Sequence, residues 1–173
     1  MQNENLMQYL TALGKAFEPH VSAWAVEESD EGPMLVLTAS APFDEASELG
    51  YLISPSVVAE NIVLFDLEIA VFTDVPEELF ASLHPVIAAL NNALIVGSFR
   101  LYEETAEVIC QSGVILSSDM DLDAATDNVF KTLVLMENGA VNGGAELLKL
   151  IKGECTADEL IADLYDMGGN EDE

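Results

Sequence analysis

Residues 61–73 read NIVLFDLEIAVFT, and their alternation decides the class of fold. Val63, Phe65, Leu67, Ile69 and Val71 recur at every second position, so all five share one face of an extended strand. The opposite face carries Ile62, Leu64, Ala70 and Phe72, with two acids set among them, Asp66 and Glu68. One face is core. The other is a mixed apolar and acidic surface.

Upstream, Leu6, Leu10, Leu13 and Phe17 are spaced for one face of a helix over 5–17, with Met7 beside them and Pro19 to stop it. Residues 20–28 and 34–40 are rich in Val, Leu, Trp and Thr and predict a hairpin turning through 28–33. Residues 41–60 hold Pro42, Gly50 and Pro55 among scattered acids and predict a long loop, with at most a helical turn over 45–49.

Downstream, Asp74 and Glu77 form a D-x-x-E capping pair for a helix whose buried stripe is Leu79, Leu83, Ile87 and Leu90. Pro76 falls in the first turn, where no N–H is needed; Pro85 lies deeper and should kink the helix. Asn91 and Asn92 mark its end. A second hairpin pairs 95–102 with 106–116 through a turn at 103–105, and 117–119 leads into a helix over 122–137. Gly139, Gly143 and Gly144 break that helix before a further helical stretch, 145–152, which Gly153 ends. Thr156 and Glu159 cap a last helix over 157–166, and 168–173 reads as a frayed tail. The result is a single α+β domain over 1–173, in the order α-β-β-β-α-β-β-α(-α).

Charge narrows the partners. Five Lys and Arg stand against 32 Asp and Glu, a net of -27. Such a surface repels phosphate backbones and anionic head groups, so neither nucleic acid nor membrane is expected as a partner. A basic protein segment is what the field attracts, although solubility alone also accounts for acidity. The start of the chain has no basic region followed by an apolar run, and the two cysteines, Cys110 and Cys155, form no paired motif. A reducing cytoplasm fits both.

The residues that usually carry chemistry do not converge. His20 and His84 fall in different elements, without a partner at helical spacing. The run from Asp119 to Asp123 imitates a calcium loop, but Ala124 replaces the glycine and Phe130 the bidentate acid, so those acids better serve the helix that follows. The glycines between 139 and 144 follow no strand and precede no G-K-[ST], which argues against a phosphate loop. Neither cysteine has a basic neighbour to lower its pKa. The chain is therefore read as no enzyme, with no cofactor and no metal. What remains is Asp66 and Glu68 on the mixed face, and Arg100, the sole arginine, flanked by Phe99, Leu101 and Tyr102. On the bland reading Arg100 bridges Asp66 or Glu68. On the functional one Asp66, Glu68, Arg100 and Tyr102 belong to a face that docks a partner segment.

The helix that ends in LNNAL (90–94), the hairpin VGSFRLYEETAEVICQSGVIL (96–116) and the acid-capped helix after it resemble the bacterial type III secretion chaperone-like superfamily, with its YbjN-type members. The resemblance covers roughly 5–137 and implies helices packed on one side of a twisted antiparallel sheet. It further implies a small, acidic, cytoplasmic protein, commonly a homodimer, that binds an extended protein segment without ATP and has no catalytic residues. The loop 41–60 and the helices after Gly139 depart from the family's pattern. A homodimer of such charged chains needs an apolar, acid-poor contact, for which the helix 79–90 or the hairpin 95–116 qualifies. The leading expectation is a non-enzymatic, chaperone-like binding module; the alternative is a small-ligand or regulatory domain with a pocket between helices and sheet. An acidic decoy of nucleic acid is a third reading.

Overall fold

In a computed structural model that describes residues 3–30 and 32–168, the chain forms an α+β fold with its helices on one side of an antiparallel sheet. Helix α1 (Asn3–Phe17) precedes a meander of four strands, β1 (Ala23–Ser29), β2 (Gly32–Ser40), β3 (Glu48–Ala59) and β4 (Ile62–Phe72). A 3-10 turn (Glu77–Leu79) leads into α2 (Phe80–Ala93); the hairpin β5 (Ser98–Tyr102) and β6 (Glu107–Ser117) follows, then α3 (Leu122–Ile151) and α4 (Ala157–Gly168). The sheet order is β1-β2-β3-β4-β6-β5, so β6 slots in beside β4 and leaves β5 at the edge.

The strand at 62–72 behaves as its alternation demands: Val63, Phe65, Leu67, Ile69 and Val71 are all buried beneath the helices. Leu6, Leu10, Leu13 and Phe17 of α1 and Leu83, Ile87 and Leu90 of α2 join the same core. Full burial of an aliphatic side chain is worth about 1.5–3 kcal/mol, so this shared layer holds the fold together. The capping box at the last helix forms as expected, with Thr156 N–H donating to Glu159 Oε2 at 2.9 Å. That bond and a second from the Thr156 hydroxyl hold the Glu159 carboxyl below its ordinary value. The acids before α3 serve that helix: Asp121 is its N-cap and accepts from Ala124 N–H at 3.4 Å.

Three expectations fail for physical reasons. The stretch 41–60 is not a long loop, because its second half is β3, with Leu49, Tyr51 and Ile53 buried in alternation. Gly50 and Pro55 looked like breakers but fit the sheet. Pairing with β2 runs only from Leu35↔Ile53 to Ser40↔Glu48, ending short of the point where Pro33 and Pro55, both without an N–H, would meet. Four strands, rather than three, therefore precede α2.

Nor do the glycines break α3, which runs unbroken through all three. A methyl group at Gly143 would come within 2.5 Å of the Phe99 ring, and one at Gly144 within 2.9 Å of Val71. The helix needs a smooth side to lie close on the sheet, which outweighs a cost of roughly 1 kcal/mol per glycine. Lastly, Asp74 does not cap α2. It takes a left-handed φ of 56° and reverses the chain, while buried Val75 donates its N–H to Ala106 O at 2.9 Å. The tail from 169 onward lies outside the described residues.

Candidate functional site: the helix-free face of the sheet

Strand parity turns one side of every strand away from the helices. The register aligns a row across the whole sheet, Ala25–Val36–Leu52–Glu68–Gln111–Ser98. Its β1 half is apolar and its β5 half polar. Val36, Leu52 and Leu64 are partly exposed and lie outside the core, and Ile115 is 70 % exposed. Phe72 leaves this face, since a register shift between Ala70 and Phe72 sets it opposite Val108 and against the Phe43 ring at 5.7 Å.

Asp66, Glu68, Arg100 and Tyr102 all lie on the helix-free face, but they do not form one cluster. Arg100 stands opposite Ile109 of β6, which in turn stands opposite Ala70 of β4. With β6 between them, Arg100 is two strand spacings, roughly 10 Å, from the strand bearing Asp66 and Glu68. The expected ion pair does not form. Instead, with its amide oriented to satisfy both neighbours, Gln111 accepts from Arg100 Nε at 3.1 Å and Nη2 at 3.3 Å while donating to Tyr102 Oη at 2.7 Å. Among the described residues no carboxylate lies within ion-pair distance of Arg100, whereas Lys131, Lys149 and Lys152 each have an acid. Burial raises the Glu68 carboxyl above its ordinary value, and Asp66 and Glu107 add to the effect.

The ends of the sheet carry what the sequence did not reveal. Pro33, which has no N–H, stands opposite Glu28, so that pair is not hydrogen-bonded across the ladder. By alternation Glu28, Val26 and Trp24 direct their N–H and C=O groups outward, where none of the described residues meets them. At the other end, Phe99 has the same outward orientation, but the Asn91 side chain meets it. Phe99 N–H donates to Asn91 Oδ1 at 2.7 Å, and Asn91 Nδ2 donates to Phe99 O at 3.0 Å. Read as a helix stop, Asn91 in fact closes the backbone of Phe99 on the outer side of β5.

On the helix side, a half-open apolar groove of about 540 Å³ lies between the end of α2, the loop after it, mid-α3 and Leu164 of α4. His84 is not near His20: it meets Glu103 at 2.7 Å, while the His20 ring tilts over Phe130. Among the described residues no three His, Cys, Asp or Glu side chains gather as a metal site, and no helix is long and apolar enough to cross a membrane. No family model matches the chain, and no curated protein does either.

Proposed function

We propose that the protein is a non-enzymatic, chaperone-like binding module of the cytoplasm that docks an extended segment of a protein partner on its sheet surface. The observation that carries this reading is the uncapped β1 edge, continuous with the apolar half of the helix-free face. An extended segment added there gains main-chain hydrogen bonds from Trp24, Val26 and Glu28, and its side chains can reach Ala25 and Val36. Glu27, Glu28 and Asp30 sit at the same end, and Asp66 and Glu68 lie further along the face, which favours a segment with basic residues and steers its approach. Arg100 and Tyr102 lie at the far, polar end and would meet only a segment long enough to cross the sheet. Kinship with the type III secretion chaperone-like superfamily is part of the same proposal. Cys110 and Cys155, both free thiols, suit a reducing compartment.

Screening short random peptides tests it. Extended apolar peptides bearing Lys or Arg should be enriched, and binding should weaken with salt. The Glu28→Pro variant, which removes one outward N–H, should lose most binding, while Glu28→Gln, which removes only the charge, should lose less. Equal losses in the two variants, or no enrichment at all, would sink the reading. A small-ligand role is favoured by one observation only, the groove on the helix side.

A further inference from the structure

The lining of that groove says what kind of molecule it would hold, an inference that rests on the small-ligand reading and not on segment binding at the sheet. Residues 79–102, 24 in a row, contain no Asp or Glu, although the chain has 32 acids in 173 residues. The fold sets part of this stretch, the end of α2 and the loop 94–97, against residues 138–145 of α3, which carry no charge. Leu90, Leu94, Val96, Leu135 and Leu164 make the walls apolar. Gly139 and Gly143 leave the α3 side without side chains, and even a methyl group at Gly139 would come within 2.7 Å of Leu94. Ile95, 95 % exposed on the loop, extends the apolar surface past the rim. The volume, about 540 Å³, falls within the roughly 300–1,000 Å³ of small-molecule sites.

Charge narrows the ligand. Glu146 is the one ionisable group in the lining, and Lys149 holds both of its oxygens, Oε1 at 2.9 Å and Oε2 at 2.7 Å. A cation therefore finds no free carboxylate in the groove and would shed its water against apolar walls without a partner. An anion is repelled by a net charge of -27 and meets no free cation in the lining. The lining does hold two neutral polar groups. Asn138 and Asn142 lie about one helical turn apart on α3, and among the described residues neither side chain has a hydrogen-bond partner. A carboxamide both donates and accepts, so the pair suits a hydroxyl or amide head. A peptide would bring a whole row of backbone groups to walls that offer only these two partners.

We propose that the groove binds a small uncharged amphiphile, with its hydrocarbon body among the leucines and its hydroxyl or amide head at Asn138 and Asn142.

Diphenylhexatriene, a hydrocarbon that fluoresces only out of water, serves as the probe, with octanamide, octanoate and octylammonium as competitors. The probe should bind the full chain, and octanamide should displace it at a roughly tenfold lower concentration than either charged analogue. Ala93→Trp, at an exposed position in the lining, fills the groove and should abolish binding with an unchanged circular dichroism spectrum. Asn138→Leu combined with Asn142→Leu should weaken octanamide about fivefold and leave binding of the hydrocarbon probe intact. No binding of the probe removes the small-ligand reading, and this inference with it. Binding that survives Ala93→Trp overturns the inference by placing the ligand elsewhere, as on the helix-free face. Equal displacement by charged and uncharged competitors, or octanamide binding indifferent to the two asparagines, keeps a ligand site but overturns its chemistry. Fluorescence per chain that falls as protein concentration rises means that a second copy fills the groove, which overturns the inference as well.

Discussion

Trp24 in β1 and Phe99 in β5 each press an aromatic ring onto a helix glycine, Gly14 of α1 in the first case and Gly143 of α3 in the second. Beyond that the two edges of the sheet part company. The Phe99 backbone is closed by Asn91, its side chain is 1 % exposed, and the face beside it is polar through Gln111 and Ser98. Trp24 is only partly buried, the β1 backbone ends in open donors and acceptors, and the face beside it is apolar through Val36 and Leu52. An open edge invites any strand, its own copy included, unless something discourages that pairing. Here one edge has the backbone of Phe99 closed by a side chain, while the other is left open beside Glu27, Glu28 and Asp30. The difference teaches that one sheet can treat its two edges differently, closing backbone groups with a side chain at one and leaving them open beside charge at the other.

Removing the cap should break the contrast most. Asn91→Ala strips two hydrogen bonds and leaves the Phe99 N–H and C=O without partners, a cost of about 2–3 kcal/mol. Urea titration should show the loss, and self-association should appear as the whole outer side of β5 becomes open. If Asn91→Ala is as stable as the parent, the cap is ornamental. The two glycines sharpen the contrast next. Gly143→Ala drives a methyl into a ring that has no room to move and should cost about 2 kcal/mol, even after its gain in helix propensity. Gly14→Ala collides with Trp24, which sits at an open edge and can yield, so it should cost about 1 kcal/mol. Equal losses in urea would mean that the two edges are equally rigid.

The smallest effect lies midway between the edges. A carboxyl whose folded pKa is raised favours the folded state below its unfolded pKa and loses that advantage as pH climbs through the folded value. Glu68 is of this kind, so its ionised form is a burden at neutral pH. Glu68→Gln should therefore raise Tm slightly at pH 7 and leave it unchanged near pH 3. A fall in Tm at pH 7 would mean that Glu68 has a favourable partner.

Much of this was legible along the chain. The period of two at 62–72, the helical stripes of α1 and α2, the second hairpin and the Thr156–Glu159 box all rest on neighbours close in sequence. The misreadings at 41–60, at the α3 glycines and at Arg100 share a different cause. Each residue was judged by its own propensity, while its role depended on a partner far along the chain: Gly50 opposite Ala70, Gly143 beneath Phe99, Arg100 beyond β6. Asn91 belongs with them, since a polar side chain at a helix end gives no sign that a strand edge lies within its reach.

Charge, hydropathy period and local capping thus determined by themselves an acidic α+β chain with one buried strand face and an acid-free stretch at 79–102. The tertiary structure alone decided that β6 would separate Arg100 from Glu68, that Asn91 would close the backbone of Phe99 while β1 was left open, and that Ile95 would stand beside a groove. Local patterns fix which way a side chain faces, because backbone geometry is local. What a side chain meets depends on strand order and helix approach, which packing of the whole core selects.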